Sequence, residues 1–149
     1  METTADLIHG LRNCDNKLAY VCLQELLKRS EQSNEVYAFF EELMDLTRAE
    51  HSYQRTRGML LIATNARWDR DNLLDENIDE LLERLPQAKP IEARQWIRAA
   101  GQIAVAKPDL SEDIAQALGA LNTFRYPGTM QKLIREDIAD ALNIARINH

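Results

Sequence analysis

The chain has 149 residues, 45% hydrophobic and 28% charged, enough apolar surface for one soluble domain or a short repeat array and too little length for most two-domain enzymes. Five Gly, four Pro and 6% aromatics disfavour an all-β sandwich or barrel, which needs frequent turn residues and strand-forming aromatics. A net charge of -6 argues against a general nucleic-acid binder, because phosphate neutralisation requires clustered Lys and Arg.

Residues 3-12 open the chain with a short helix carrying Leu7, Ile8 and Leu11. Three segments of similar length then follow, 16-52, 53-90 and 91-128, each reading as helix, polar break, helix. In the first, Leu18, Cys22, Leu23, Leu26 and Leu27 recur at helical spacing, as do Val36, Phe39, Phe40, Leu43 and Met44 beyond a break at 30-33. The second gives Met59, Leu60, Ile62 and Ala63, a break at 68-71, then Leu74, Ile78, Leu81, Leu82 and Leu85. Asp69 or Asp71 is placed to cap that second helix, and Pro86 marks its end. In the third, Pro90 opens a helix with Ile97, Ala100, Ile103 and Ala104, Pro108 closes it, and Ser111 is placed to cap a helix bearing Ile114, Ala117, Leu118 and Leu121. A terminal helix over 129-147 shows Leu133, Ile134, Ile138, Ala141, Leu142 and Ala145. Leu26, Phe40, Ile62, Leu81, Ile103, Leu118 and Ile138 are expected in a single core.

A single helix pair of this length cannot bury its own stripe, so neighbouring pairs are expected to stack. Arg57 and Arg94 fall at the same place in consecutive segments, and Pro90-Ile91-Glu92-Ala93-Arg94-Gln95-Trp96-Ile97-Arg98-Ala99-Ala100-Gly101-Gln102-Ile103 carries an Arg and a small Ala-Ala-Gly run. The pattern over 16-149 resembles HEAT repeats, although Tyr20 and Gln131 stand where the first and last segments would carry that Arg. The resemblance implies an all-α, right-handed α-α superhelix of about three helix pairs plus terminal helices, in one domain over 1-149. An ordinary helical bundle is the alternative topology. The repeat pattern is also similar to small bacterial proteins grouped with iron-sulfur assembly components or phycobilisome lyases, a likeness that brings no ligand motif with it.

Charge sorts between the two helix sets. The first helices, 16-30, 53-67 and 91-107, carry +2, +3 and +2; the second helices, 34-48, 71-85 and 109-122, carry -3, -5 and -3. In a HEAT-like stack second helices line the concave side, so the resemblance implies an acidic inner surface for a basic protein partner. Positions between the apolar ones on those helices form the candidate partner-binding stripe: Glu41 and Asp45, then Asp75, Asp79 and Glu83, then Asp113 and Gln116. Asp75, Asp79 and Glu83 are four apart and repel on one face. The plain alternative is a solvated face whose acids serve helix dipoles, as Asp71, Glu112 and Asp113 could.

Catalytic and metal chemistry find little footing. His9, His51 and His149 lie in different segments without ligand spacing, and Cys14 and Cys22, eight apart, form neither a redox pair nor a zinc clip. Asp69, Asp71, Asp75, Asn77 and Glu80 match positions of a calcium loop, yet Leu73 and Leu74 occupy a ligand position and the obligatory glycine. The five glycines are scattered, so no phosphate-cradling loop forms. No cofactor is expected. Some HEAT-like proteins are DNA alkylation repair glycosylases, and Trp68, Trp96, Asp69 and Arg98 are the residues such an activity would recruit; packing roles for both tryptophans are the simpler expectation. With no basic leader before an apolar stretch and no run of about 18 apolar residues, the expected location is cytoplasmic, with no membrane partner. The expected function is a non-catalytic interaction scaffold, with a HEAT-like nucleic-acid repair or binding protein as the second reading.

Overall fold

A computed structural model describes residues 2-147, and among these it contains eight α-helices, five short 3₁₀ turns and no strand. The helices are α1 (Thr4–Gly10), α2 (Asn16–Gln32), α3 (Phe40–Thr47), α4 (Ser52–Asn65), α5 (Leu73–Arg84), α6 (Pro90–Ala106), α7 (Ser111–Gly119) and α8 (Gly128–Ile147). Each helix expected from apolar spacing is present. Two expected helix ends differ: 34-39 form a bend, a turn and a short 3₁₀ segment, and α7 stops at Gly119, leaving 120-122 outside it. His149 lies outside the described residues. The chain divides into two compact units, Met1–Arg70 and Asp71–His149.

In the first unit, side-chain caps start the first two helices. Thr3 Oγ1 accepts the Asp6 amide at 3.1 Å while Thr3 N donates to Asp6 Oδ2 at 3.2 Å, a reciprocal cap on α1. Asp15 Oδ1 accepts the Lys17 amide at the start of α2. The helices then bury Leu11, Leu23, Leu26, Phe40, Leu43, Met44, Leu61 and Ile62. At roughly 25 cal/mol per Å² of apolar area removed from water, such side chains dominate the stability of the unit.

Helices α3 and α4 approach so closely that a Cβ at Gly58 would stand 2.8 Å from both the Leu43 carbonyl oxygen and the Leu46 Cβ. Arg57, only 6% exposed, reaches from α4 to the Leu11 carbonyl and to Asn16 Oδ1, both at 2.9 Å, and so ties α4 to the α1–α2 corner. Burial pushes its guanidinium below the ordinary arginine value, with the Tyr53 charge acting upward.

A polar knot closes the other end of this unit. Ser30 Oγ donates to the Leu26 carbonyl, Asn65 Nδ2 donates to Ser30 Oγ, and Trp68 Nε1 donates to the Ser30 carbonyl at 2.7 Å. Tyr37 donates its hydroxyl proton to Asp69 Oδ1 at 2.7 Å. Asp69 is thus buried in this knot; the residue before α5 is Asn72, which has a left-handed backbone (φ 57°) and makes no side-chain cap.

The second unit is organised on α6, whose ends are set as the prolines require. Pro90 occupies the first helical turn, where no amide is missed, and Lys89 N donates to Glu92 Oε1 at 3.1 Å. Lys107 and Pro108 end the helix. α6 packs on α7 and α8, with Gly101 against Ala141 where small residues let the axes close up. Trp96, Ile97, Ile103, Ile114, Leu118 and Ile134 are buried. Ser111 sits in the first turn of α7 rather than capping it, and donates its hydroxyl to the Pro108 carbonyl.

Ile138 departs from expectation. It is half-buried, and the inward stripe of α8 runs instead through Ile134, Asp137, Ala141 and Ala145. Asp137 can face inward because Arg94 Nε meets its Oδ2 at 2.7 Å and Arg98 Nη2 its Oδ1 at 3.4 Å.

Candidate functional site

The second-type helices of the second unit show why their acids face outward. On α5 the residues Leu74, Ile78 and Leu81, at helical spacing, are buried, and on α7 so are Ile114 and Leu118. Asp79, Glu83, Asp113 and Gln116 fall on the opposite, exposed faces. These four line a groove of about 340 Å³ whose other lining residues are Leu82, Pro86, Ala117, Ala120 and Leu121. The groove therefore has a small apolar floor and an acidic rim.

Asp75, grouped with these residues by its four-residue spacing, is drawn elsewhere. Its Oδ1 meets Lys107 Nζ at 2.7 Å, and the same ammonium donates to Asn72 Oδ1 at 2.8 Å. Burial acts to raise the Asp75 carboxyl, but hydrogen bonds from Asp109 and Lys107 and the Lys107 charge prevail and hold it below the ordinary value. Asp109 moves the other way, held up first by its hydrogen bond to Asp75, then by burial and by the Asp75 charge. The two carboxyls thus shift in opposite directions beside one ammonium. The repulsion expected along Asp75, Asp79 and Glu83 is reduced to its last pair.

Glu41 and Asp45 are exposed on α3 in the first unit, and Asp45 is paired there with Arg48 at 2.9 Å. By contrast, among the described residues no ion pair or hydrogen bond engages the carboxylates of Asp79, Glu83 or Asp113, although Gln87 Nε2 donates to the Glu83 main-chain carbonyl. Asp113 lies in the first turn of α7, where the helix dipole favours a negative charge. Asp79 and Glu83 have no such support, and Glu83 sits near the C-terminus of α5, where the dipole opposes it.

The residues a repair activity would recruit are each engaged inside their own unit. Trp68 donates to Ser30 and Asp69 accepts from Tyr37 in the first, while Trp96 is buried at 1% exposure and Arg98 rests on Asp137 in the second. Among the described residues no group of three or more His, Cys, Asp or Glu side chains is placed to hold a metal ion, and no helix is long and apolar enough to cross a membrane. Of the groove, sequence spacing supplied the acids and put Leu82, Ala117 and Leu121 on apolar stripes; it gave no sign that these border one groove together with Pro86 and Ala120, which lie beyond the helix ends. Comparison of the chain with family models, with curated proteins and with solved structures finds no match.

Proposed function

We propose that the protein is a non-catalytic interaction scaffold or adaptor that binds a basic protein partner through its acidic second-type helices. The observation that carries this reading is the set of three carboxylates, Asp79, Glu83 and Asp113, left without a partner around an apolar floor. Stacked like charges cost a few tenths of a kcal/mol per pair, and folding gains nothing from them. A complementary positive surface would repay that cost and steer its own encounter.

The HEAT-like right-handed solenoid belongs to the same proposal, supported by the recurring helix pairs and their near-equal spacing. An experimental structure in which 53-90 and 91-128 superpose helix on helix is the expected outcome; an up-down bundle would overturn it.

The functional test is affinity capture from native lysate with the wild-type chain and with an Asp79→Lys, Glu83→Lys variant whose circular dichroism is unchanged. Proteins recovered by the wild type should be lost by the double variant and should elute with rising salt. Equal recovery by both returns the acids to a solvated face. Labelled duplex and single-stranded DNA, titrated at physiological salt, should bind no tighter than the non-specific ~10⁻⁴ to 10⁻⁶ M. Submicromolar, salt-sensitive binding would favour the nucleic-acid reading instead.

A further inference from the structure

We infer that the groove between α5 and α7 receives an α-helical segment of the partner, with a short apolar stripe flanked on both sides by Lys or Arg. This rests on the scaffold reading and narrows it to one surface and one kind of occupant.

The backbone argument selects a helix. The groove walls are themselves helical, so most of their amides and carbonyls are already bonded within α5 and α7. An extended peptide lying there would find no strand edge to pair with and would have to leave backbone groups unsatisfied as it shed water. A helix brings its backbone hydrogen bonds with it. It needs only side-chain partners, and those the groove provides.

The lining then sets the pattern of the occupant. Leu82, Pro86, Ala117, Ala120 and Leu121 offer an apolar floor, and the two alanines are small enough to let another helix approach closely. Asp79 and Glu83 stand on the α5 side and Asp113 on the α7 side, so cations are called for on both flanks of the apolar stripe. The lining residues of α7 and the turn after it, 113 to 121, span roughly 12 Å at 1.5 Å per residue. That length matches about two turns of a docked helix, hence apolar anchors at i and i+4 or i+7.

A synthetic probe tests this with the full-length chain: a 16-residue, end-blocked peptide of Leu and Lys with Leu on one helical face, fluorescently labelled. Its control is the same sequence with two central D-residues, which keeps composition and charge but breaks the helix. The all-L peptide should bind at least tenfold more tightly than the control and gain helical circular dichroism on binding. Ala120→Trp, which fills the floor at an exposed position, and the triple Asp79→Asn, Glu83→Gln, Asp113→Asn should each weaken binding about tenfold. Neutralising Glu31 and Glu50, exposed acids outside the candidate stripe, should change it less than twofold. Equal affinity for both peptides, no effect of Ala120→Trp, or equal loss from that distant neutralisation would overturn the helix-in-groove inference and leave only diffuse acidic attraction. The broader scaffold reading fails separately, by equal recovery in the capture experiment.

Discussion

Arg94 of α6 and Asp137 of α8 are joined by a two-pronged ion pair, Nε to Oδ2 at 2.7 Å and Nη2 to Oδ1 at 3.4 Å, that holds a carboxylate inside the helix interface of the second unit. Asp137 is 6% exposed, so truncating it leaves the largely covered Arg94 guanidinium without its partner at the α6–α8 seam. Asp137→Ala should lower the Tm by about 5 °C. Arg98→Ala, at the longer and more exposed contact, should change it by less than about 2 °C. Thermal melts followed by circular dichroism distinguish the two, and equal small shifts would remove the pair from the account of α8 docking.

Core truncation probes the apolar stripes directly. Leu81 on α5 and Ile103 on α6 are both fully buried. Leu81→Ala or Ile103→Ala should each cost ~2–5 kcal/mol, from lost transfer free energy plus the cavity left behind. Urea unfolding at constant m-value measures this, and a cost under about 1 kcal/mol would mean that the stripe does not face a packed core.

These stripes were also the most legible part of the sequence. Leu74, Ile78 and Leu81 announce α5 because burial selects every third or fourth position, and Pro90 and Pro108 bracket α6 because proline is accepted only at helix margins. Position 138 was misread for a definite reason: Ile138 looks more apolar than Asp137, and only the arginines of α6, some forty residues earlier, make Asp137 an inward residue. Asp75 was misplaced in the same way, since its partner Lys107 lies beyond the whole of α6. Local periodicity records solvent on one side of a helix; it carries no trace of an ion pair made with another helix.

The Asp75–Asp109 pair makes stability depend on pH. Asp109 has a folded pKa raised above its ordinary 3.8, so its contribution is fully present below that value and is lost as pH rises through the folded one. Asp75, with a lowered pKa, contributes above the ordinary carboxylate value and loses that contribution as pH falls through its folded one. Asp109→Asn keeps a donor to Asp75 but has no proton to lose. The Tm of Asp109→Asn relative to wild type should therefore rise as pH increases from about 4 to 7. A difference constant across that range would contradict the shared hydrogen bond.

The two thiols should separate by reactivity. Cys14 is exposed, whereas Cys22 is half-buried against Gly10, with its pKa pushed up by burial and then by the Glu2 charge. Labelling with dithionitrobenzoate at pH 8 should show one fast and one slow phase. Cys14→Ser should abolish the fast phase and Cys22→Ser should leave it intact; the reverse would mean that the α1–α2 corner is open.

The close approach of α4 to α3 at Gly58 has a genetic consequence. Every missense change of a glycine codon introduces a Cβ, and here that atom would meet a backbone oxygen and a second helix 2.8 Å away, neither of which can yield as a flexible side-chain tip would. Gly119, with nothing within 4 Å of the same position, has no such restriction. In a random-mutagenesis library scored through a fused reporter at two growth temperatures, heat-sensitive alleles should therefore accumulate at codon 58, while codon 119 drifts freely.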